Sequence, residues 1–533
     1  MNKTSMPSAA VADWRGREPL LPRFLLRLAS FCLLVYCLVG SLLVTAESAR
    51  MIPVQEDTTY PEGATAYLAV LAGRTGQLYH SFSSPPHVVQ PFGPLFYAIN
   101  AAISRASNWD ADITIRRARL LTFACFLLCG AVAFRICREL EFSNTESALA
   151  GMMLLAQPAF LNWNVTMRPD VPSLLGMLLC LLFALHEEEL GRRACIFSGF
   201  FAGAAFLLKQ SAMAAPAAIA AVFLLKKRYK QTFVLALSAA VPVVVVFGIL
   251  LWRQEPFIEQ FTAVGKSIWS IAAAAHWMVS RRSEVMLPIP LAIGGVGFIG
   301  AIRGGQQSKM IASFALINLC AGIASIPQIG GDVNYFLPTL AGCSLLLPFA
   351  IRAVAQAMST RPATGALAAM VLLMGTIATV GVCYRYRSFA PRAHIPYERL
   401  QSLKVVSDAP YVAMHGRDPE LLDPYTSHSF ELNGHWSPSD VITNIQHGDY
   451  DLVILTSGHI IRSYRGISFF GIPIVNSLNA NYEVRCVAGG ALVLTPRSRE
   501  IAAIPEMLSS ILGPCVSNGV DRAPNLSLGA YVR

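Results

Sequence analysis

Four short stretches of the chain hold residues whose types could do chemistry. "QEDTTYPEG" (55–63) sets Glu56, Asp57 and Glu62 directly after a long apolar segment. "MRPDVPS" (167–173) places Arg168 two residues before Asp170, and "LLKQSA" (207–212) carries an isolated Lys209. "GGDVNYFLP" (330–338) offers Asp332, Asn334 and Tyr335. A carboxylate can remove a proton from an acceptor hydroxyl or amine. Arg and Lys can hold a phosphate leaving group. A phosphate handled at a membrane surface points to a lipid-linked donor. Each residue also has a plainer role. Asp170 could cap a helix that has a proline in its first turn. Lys209 could snorkel to the headgroups, and Arg168 could anchor a headgroup phosphate. "NYFLP" suits an interfacial aromatic anchor, and His87 in "SSPPHVVQP" suits a loop. What favours chemistry is the set, because ionisable groups at a membrane boundary usually face a cavity and mark function.

The elements that must position these residues are membrane helices. Of 533 residues, 54% are hydrophobic and only 14% charged, and mean hydropathy is +0.49. A soluble domain carries about 25% charged residues. Spanning helices of about 20 apolar residues are expected near 24–46, 119–138, 146–163, 171–186, 194–208, 212–225, 231–251, 286–302, 309–327, 333–351 and 364–384. The fold class is therefore an α-helical polytopic membrane protein with about eleven transmembrane helices. Residues 1–23 form a cytoplasmic tail, 24–384 the transmembrane domain with a large first external loop (47–117), and 385–533 an extracytoplasmic α/β domain.

Residues 194–225 are too long for one span at 1.5 Å per residue. "GRR" (191–193) and "KKRYK" (226–230) flank them, and the positive-inside rule puts both on the cytoplasmic side. The segment should turn near "KQSA" (209–212). With the N-terminus inside, parity brings the loops at 47–117, 164–170, 209–211, 252–285 and 328–333, and the tail, to one external face. The candidate residues all fall on that face. In the tail, "YDLVILTS" (450–457) and "ALVLTPR" (491–497) read as strands. Cys486 and Cys515 lie in this polar part, where a disulfide is compatible with an extracytoplasmic location.

The net charge of +10 sits mostly in short loops, which suits topology and lipid headgroups rather than nucleic acid. No CxxC pair or Cys/His ligand spacing speaks for a structural zinc. The acids after the first helix could hold a divalent ion, and no cofactor is demanded.

"YPEGATAYLAVLAGRTGQLYHSF" (60–82) followed by "PFGPLFYAIN" (91–100) resembles the first external loop of the GT-C glycosyltransferases. The resemblance is to the bacterial protein O-mannosyltransferase-like and aminoarabinose-transferase-like group, related to dolichyl-phosphate-mannose-protein mannosyltransferases. "RPD" (168–170), "LLKQSA" and "NYFLP" are similar to further elements of that group. The resemblance implies an inner-membrane enzyme that binds a polyprenyl-phosphate sugar and transfers the sugar, with inversion, to a lipid, glycan or protein acceptor. By position Glu62 matches the acidic motif and would be the general base. Asp170 would be the second acid, Arg168 and Lys209 would contact the lipid phosphate, and Tyr97 and Tyr335 would line the cavity beside Asn334 and His87. The chain departs from the group at Pro61, where many members have a second acid, and this leaves Asp57 as a rival base.

Two other classes share parts of this pattern. A proton-coupled transporter or lipid flippase would show half-to-half repeats and ionisable groups at mid-helix, whereas these charges gather at one face. A non-catalytic polysaccharide assembly subunit would not need Glu62 or Asp170 to be acidic.

Overall fold

The computed structural model describes residues 20–360 and 397–498, apart from residues 60, 86, 264–267, 280–286, 329–330, 424–426, 457–462, 465–466, 469 and 489–490. Its apolar runs are helices, the form that satisfies every backbone group within the segment when water is excluded. They are α1 (Leu20–Met51), α2 (Glu62–Thr75), α3 (Pro94–Ala106), α4 (Ala111–Glu139), α5 (Asn144–Leu155), α6 (Asp170–Leu185), α7 (Arg192–Leu208), α8 (Ala214–Leu225), α9 (Tyr229–Trp252), α10 (Phe257–Ala263), α11 (Ile271–Met278), α12 (Pro288–Ile302), α13 (Gln306–Ser325) and α14 (Leu337–Thr360). Every expected span on described residues carries a helix; the one at 364–384 lies outside them.

Among the described residues, five helices are long and apolar enough to cross a bilayer: Phe31–Met51, Ala111–Glu139, Tyr229–Trp252, Gln306–Ser325 and Val333–Ala357. Asp170–Leu185, Gln210–Leu225 and Pro288–Ile302 are apolar but shorter. The short α6 is enclosed by neighbours and buries most of its length. By contrast α9 shows Phe233, Val244 and Val245 on an open apolar face, as a lipid-facing helix would. α7 reaches α9 through Gly199 and Gly203, where an added Cβ would lie 2.5 Å from the carbonyl oxygens of Leu235 and Ala239 respectively. Small residues four apart let membrane helices approach closely.

The apolar stretch 194–225 is broken at Lys209, which is extended at φ −151° and ψ 126° and is followed by a 3₁₀ turn, Gln210–Met213. The loop at 47–117 is more ordered than its polarity suggests. It contains α2 and α3, which pack together, with Gly73 against the carbonyl of Ala101. Most of α2 is buried, because its face of Ala and Gly fits against protein rather than water.

The tail carries a five-stranded sheet in the order β2-β1-β3-β7-β6. The strands are β1 (Lys404–Ser407), β2 (Arg417–Leu421), β3 (Leu452–Thr456), β6 (Tyr482–Ala488) and β7 (Ala491–Pro496), with a small hairpin of β4 (Ser463–Tyr464) and β5 (Ile467–Ser468) apart from it. β1 is parallel to β2 and β3, while β7 is antiparallel to β3 and β6. Successive strand residues point to opposite faces. Val406, Val453, Leu455 and Leu494 share a core with α15 (Ser439–His447) and α16 (Ile472–Asn481). Val405, Leu452, Ile454 and Val493 face the other way and share a core with α2 and with Phe92 and Tyr97 of the external loop. The tail therefore sits on the loop that holds the candidate acids. Cys486 is disulfide-bonded, and Cys515 lies outside the described residues.

Candidate active site

Two clusters of charge form at the ends of the helices, and a short backbone segment joins them. The first is built on Arg119 and Glu62. Both side chains are fully buried. Arg119 Nη2 donates to Glu62 Oε2 at 2.6 Å and Nε donates to Oε1 at 3.0 Å. Its remaining N–H groups donate to the carbonyls of Met51, Ile52, Val54 and Glu56. Arg119 thus ties the turn after α1 to α2 and α4. Glu62 Oε2 also accepts from the N–H and hydroxyl of Thr58 at 3.0 and 2.9 Å. Its Oε1 accepts from the Met167 N–H at 2.8 Å. Burial by itself would raise this carboxyl, but the Arg119 charge and these N–H donors outweigh it and hold Glu62 below the ordinary carboxylate range. A carboxylate so fully engaged is a poor base. For Glu62 to act as the base expected from the sequence, whichever oxygen takes the proton would have to give up part of its hold on Arg119 and on Thr58 or Met167.

Asp57, five residues earlier, has the opposite surroundings. It is half-buried. Its Oδ1 accepts from the Gly63 N–H at 2.6 Å and its Oδ2 from the Tyr411 N–H at 3.2 Å. No cation bonds it directly among the described residues. Burial, and next the neighbouring Glu62 charge, push its pKa up to about 7.

The second cluster is centred on Asp170, the first residue of α6. The N-cap of α6 is Pro169 rather than Asp170. Asp170 Oδ1 accepts from Lys209 Nζ at 2.5 Å and from Asn334 Nδ2 at 2.8 Å, and Oδ2 accepts from Arg168 Nε at 3.2 Å. Three separate chain segments meet on one carboxylate. The extended backbone at Lys209 turns that side chain inward, so it pairs instead of snorkelling. Its ammonium lies 4.5 Å from the Tyr335 ring centroid. Arg168 lies 5.2 Å from the Phe92 ring and 4.7 Å from that of Trp163. Asn334 is brought in by the 3₁₀ turn Val333–Phe336, which Asp332 caps through the Val333 N–H.

The two clusters are joined through 162–170. Thr58 and Thr166 share a hydroxyl hydrogen bond of 2.8 Å, and Glu62 holds the amide next to Arg168. Asn164, which opens an N-x-T sequence, is buried against Ser48 and is part of this scaffold. The "PFGP" loop docks beside Lys209. Gly93 N–H donates to the Leu208 carbonyl at 3.1 Å, and an added Cβ on Gly93 would lie 2.1 Å from the Leu207 oxygen. Only a glycine permits that approach.

Comparison with known proteins bears on the scaffold. Residues 90–252 match the family model described as dolichyl-phosphate-mannose-protein mannosyltransferase. No curated protein matches the chain by sequence. Among solved structures, ArnT from Cupriavidus metallidurans in the apo state is similar at a TM-score of 0.54 and 12% identity, over 87% of this chain and 98% of that one. The same enzyme bound to undecaprenyl phosphate is similar at a TM-score of 0.52 and 13% identity, over 86% and 97%. The chain shares the fold of these structures, GT-C-like in its helix order.

Within this GT-C fold the remaining expected residues have distinct places. Tyr97 is buried in an aromatic group, 5.3 Å from the Tyr79 ring and next to Phe92 and Phe96. It supports the floor under Arg168 and does not line an open surface. His87 is turned toward the tail. Its Nδ1 meets the Phe82 carbonyl at 3.0 Å and its Nε2 lies 3.6 Å from Glu420 Oε1, so it is not gathered to Asp170. Among the described residues, no group of three or more His, Cys, Asp or Glu is placed to hold a metal ion. The acids after α1 do not converge, since Glu62 turns its oxygens to Arg119. Arg119 escapes the sequence reading, although an arginine within the first turns of an apolar helix ("RRARLL", 116–121) is itself a signal of a buried partner. Tyr411 escapes it too, and nothing local marks it.

Proposed function

We propose that this protein is a membrane glycosyltransferase that takes a sugar from a polyprenyl-phosphate donor to an acceptor on the extracytoplasmic face. The observation that carries the reading is the convergence of Lys209, Arg168 and Asn334 on Asp170, on a GT-C scaffold. Two cations and one carboxylate leave this group with net positive charge, so a lipid phosphate can share the two cations while Asp170 keeps them in place. Arg168 and Lys209 then stabilise the phosphate as it leaves. The Asn334 Oδ1 is buried and accepts no hydrogen bond among the described residues, which suits a sugar hydroxyl. ArnT has been seen with undecaprenyl phosphate bound, and a ligand of that class fits the chemistry here.

Asp57 is the general base in this reading. A base works best with a pKa near the operating pH, and Asp57 answers that description while Glu62 does not. Attack of the acceptor on the anomeric carbon, with its proton passing to Asp57, breaks the bond to the lipid phosphate and inverts the centre. Glu62 and Arg119 hold the two arms that carry Asp57 and Arg168.

The test is transfer by purified protein in nanodiscs, with a panel of radiolabelled polyprenyl-phosphate sugars and a membrane extract as acceptor. Wild type should transfer at least one sugar, and Asp57→Asn and Asp170→Asn should not. Transfer from no donor, with all variants complementing in cells, would overturn the enzyme reading in favour of an assembly subunit. Variants that fail in cells while wild type transfers nothing would favour transport.

A further inference from the structure

We infer that the Pro410–Ala413 turn of the tail is part of the catalytic centre and positions Asp57 through the Tyr411 backbone amide. The inference rests on Asp57 being the base. The tail is separated from the external loop by most of the chain, yet its turn lies directly on the N-terminus of α2. An added Cβ on Gly63 would stand 2.3 Å from the Tyr411 nitrogen, so the two backbones touch. Asp57 is held between them, with one oxygen on the Gly63 N–H and the other on the Tyr411 N–H. Neither segment alone fixes both oxygens.

The turn is itself anchored. The Tyr411 hydroxyl donates to Asp112 Oδ1 at 2.6 Å. His415 Nε2 lies 3.5 Å from the same oxygen, and the His415 ring stacks on Tyr397 at 4.7 Å between centroids. The titratable and charged groups around Asp57 are therefore Glu56 on its own segment, Glu62 on α2, Arg119 and Asp112 on α4, and Tyr411 and His415 from the tail. Among the described residues, the tail contributes no carboxylate to this set. What it brings is cover from water and one N–H. Burial is the largest influence raising Asp57, while the Tyr411 N–H lowers it; lifting the turn removes both, and because burial is the larger the carboxyl should move down toward the ordinary range near 4. A tail with a purely structural role would leave that value unmoved.

Two readouts test this. The first is reaction of Asp57 with a hydrophobic carbodiimide, which labels protonated carboxyls, followed by peptide mass spectrometry across pH. The second is the pH profile of transfer. Gly63→Ala drives a methyl into the Tyr411 backbone without altering any ionisable group, and alanine is the better helix former, so α2 itself is not weakened. Its labelling midpoint and the acid limb of its transfer profile should both move down by at least about one pH unit. Tyr411→Phe keeps the amide but loses the Asp112 anchor, and should move both in the same direction by less. It also keeps the test alive if Gly63→Ala does not fold. Midpoints like wild type in a folded variant would overturn the inference. Asp57→Asn reports separately on the base: if it transfers sugar at a rate near wild type, the base reading fails, while the labelling result stands by itself as a measure of the tail's hold.

Discussion

Asp57 and Glu62 are five positions apart on one loop, both pushed up by burial and both holding backbone N–H donors, and they differ in the cation each meets. Glu62 is neutralised by a bidentate arginine and saturated with donors; Asp57 is half-buried and bonds no cation among the described residues. Two predictions belong here. Asp57→Asn should lower transfer by about 10²–10⁴-fold, the usual contribution of a general base, with the melting temperature little changed. Glu62→Gln leaves Arg119 buried with its charge uncompensated, which should cost about 3–5 kcal/mol and appear as a lower melting temperature and poor yield. The pH dependence has a definite sign. Because the Glu62 pKa is depressed on folding, its stabilisation is present above the ordinary carboxyl value, about 4.3, and is lost as pH falls below it. Wild-type melting curves should show that loss on acidification, and Glu62→Gln should flatten it. Lys209→Met should raise the KM for the lipid-phosphate donor by about tenfold or more, since a charge-assisted contact of about 1.5 kcal/mol is removed, and it also leaves Asp170 short of a partner.

At the scale of elements, the site depends on where helices stop and where backbones meet. Lys209 reaches Asp170 because α7 ends at Leu208 and the next residue is extended. The "PFGP" loop reaches the same place because Gly93 has no side chain. Gly93→Val would force the loop from Leu207 and carry Phe92 away from Arg168. The expected result is a loss of about 1–3 kcal/mol in thermal melts, together with a raised donor KM. A variant with unchanged KM would show that Phe92 does not help to hold Arg168.

For the whole molecule, the orientation expected from the charge distribution and the helix order is itself open to test. Arg74 at the end of α2 and Arg193 at the start of α7 are both exposed, and they should lie on opposite sides of the membrane. A cysteine introduced at Arg74 should react with an impermeant maleimide added to intact spheroplasts, and one at Arg193 should react only after lysis. The reverse pattern would invert the topology and separate the site from an extracytoplasmic acceptor. The tail, carrying a disulfide-bonded Cys486, would share the side of Arg74. There it closes over the loop helices with one face of its sheet and covers the other with α15 and α16.

The sequence alone determines the helices, because apolar runs that must satisfy their own backbone in lipid have no other solution. It also determines the break at Lys209, from cationic flanks too far apart for one span, and the strands at 452–456 and 491–496, from their bounded apolar runs. Asp170, Arg168 and Lys209 stand out because charge is scarce in such a chain, and they do come together. What only the tertiary structure decided is the state of each acid. Glu62 is disarmed by Arg119, 57 residues along the chain, and Asp57 is covered by an amide 354 residues away. Motif position marks Glu62 and, through the departure at Pro61, leaves Asp57 as a rival without choosing between them. Protonation is set by burial and by whichever charges other elements bring within reach, and local spacing contains neither.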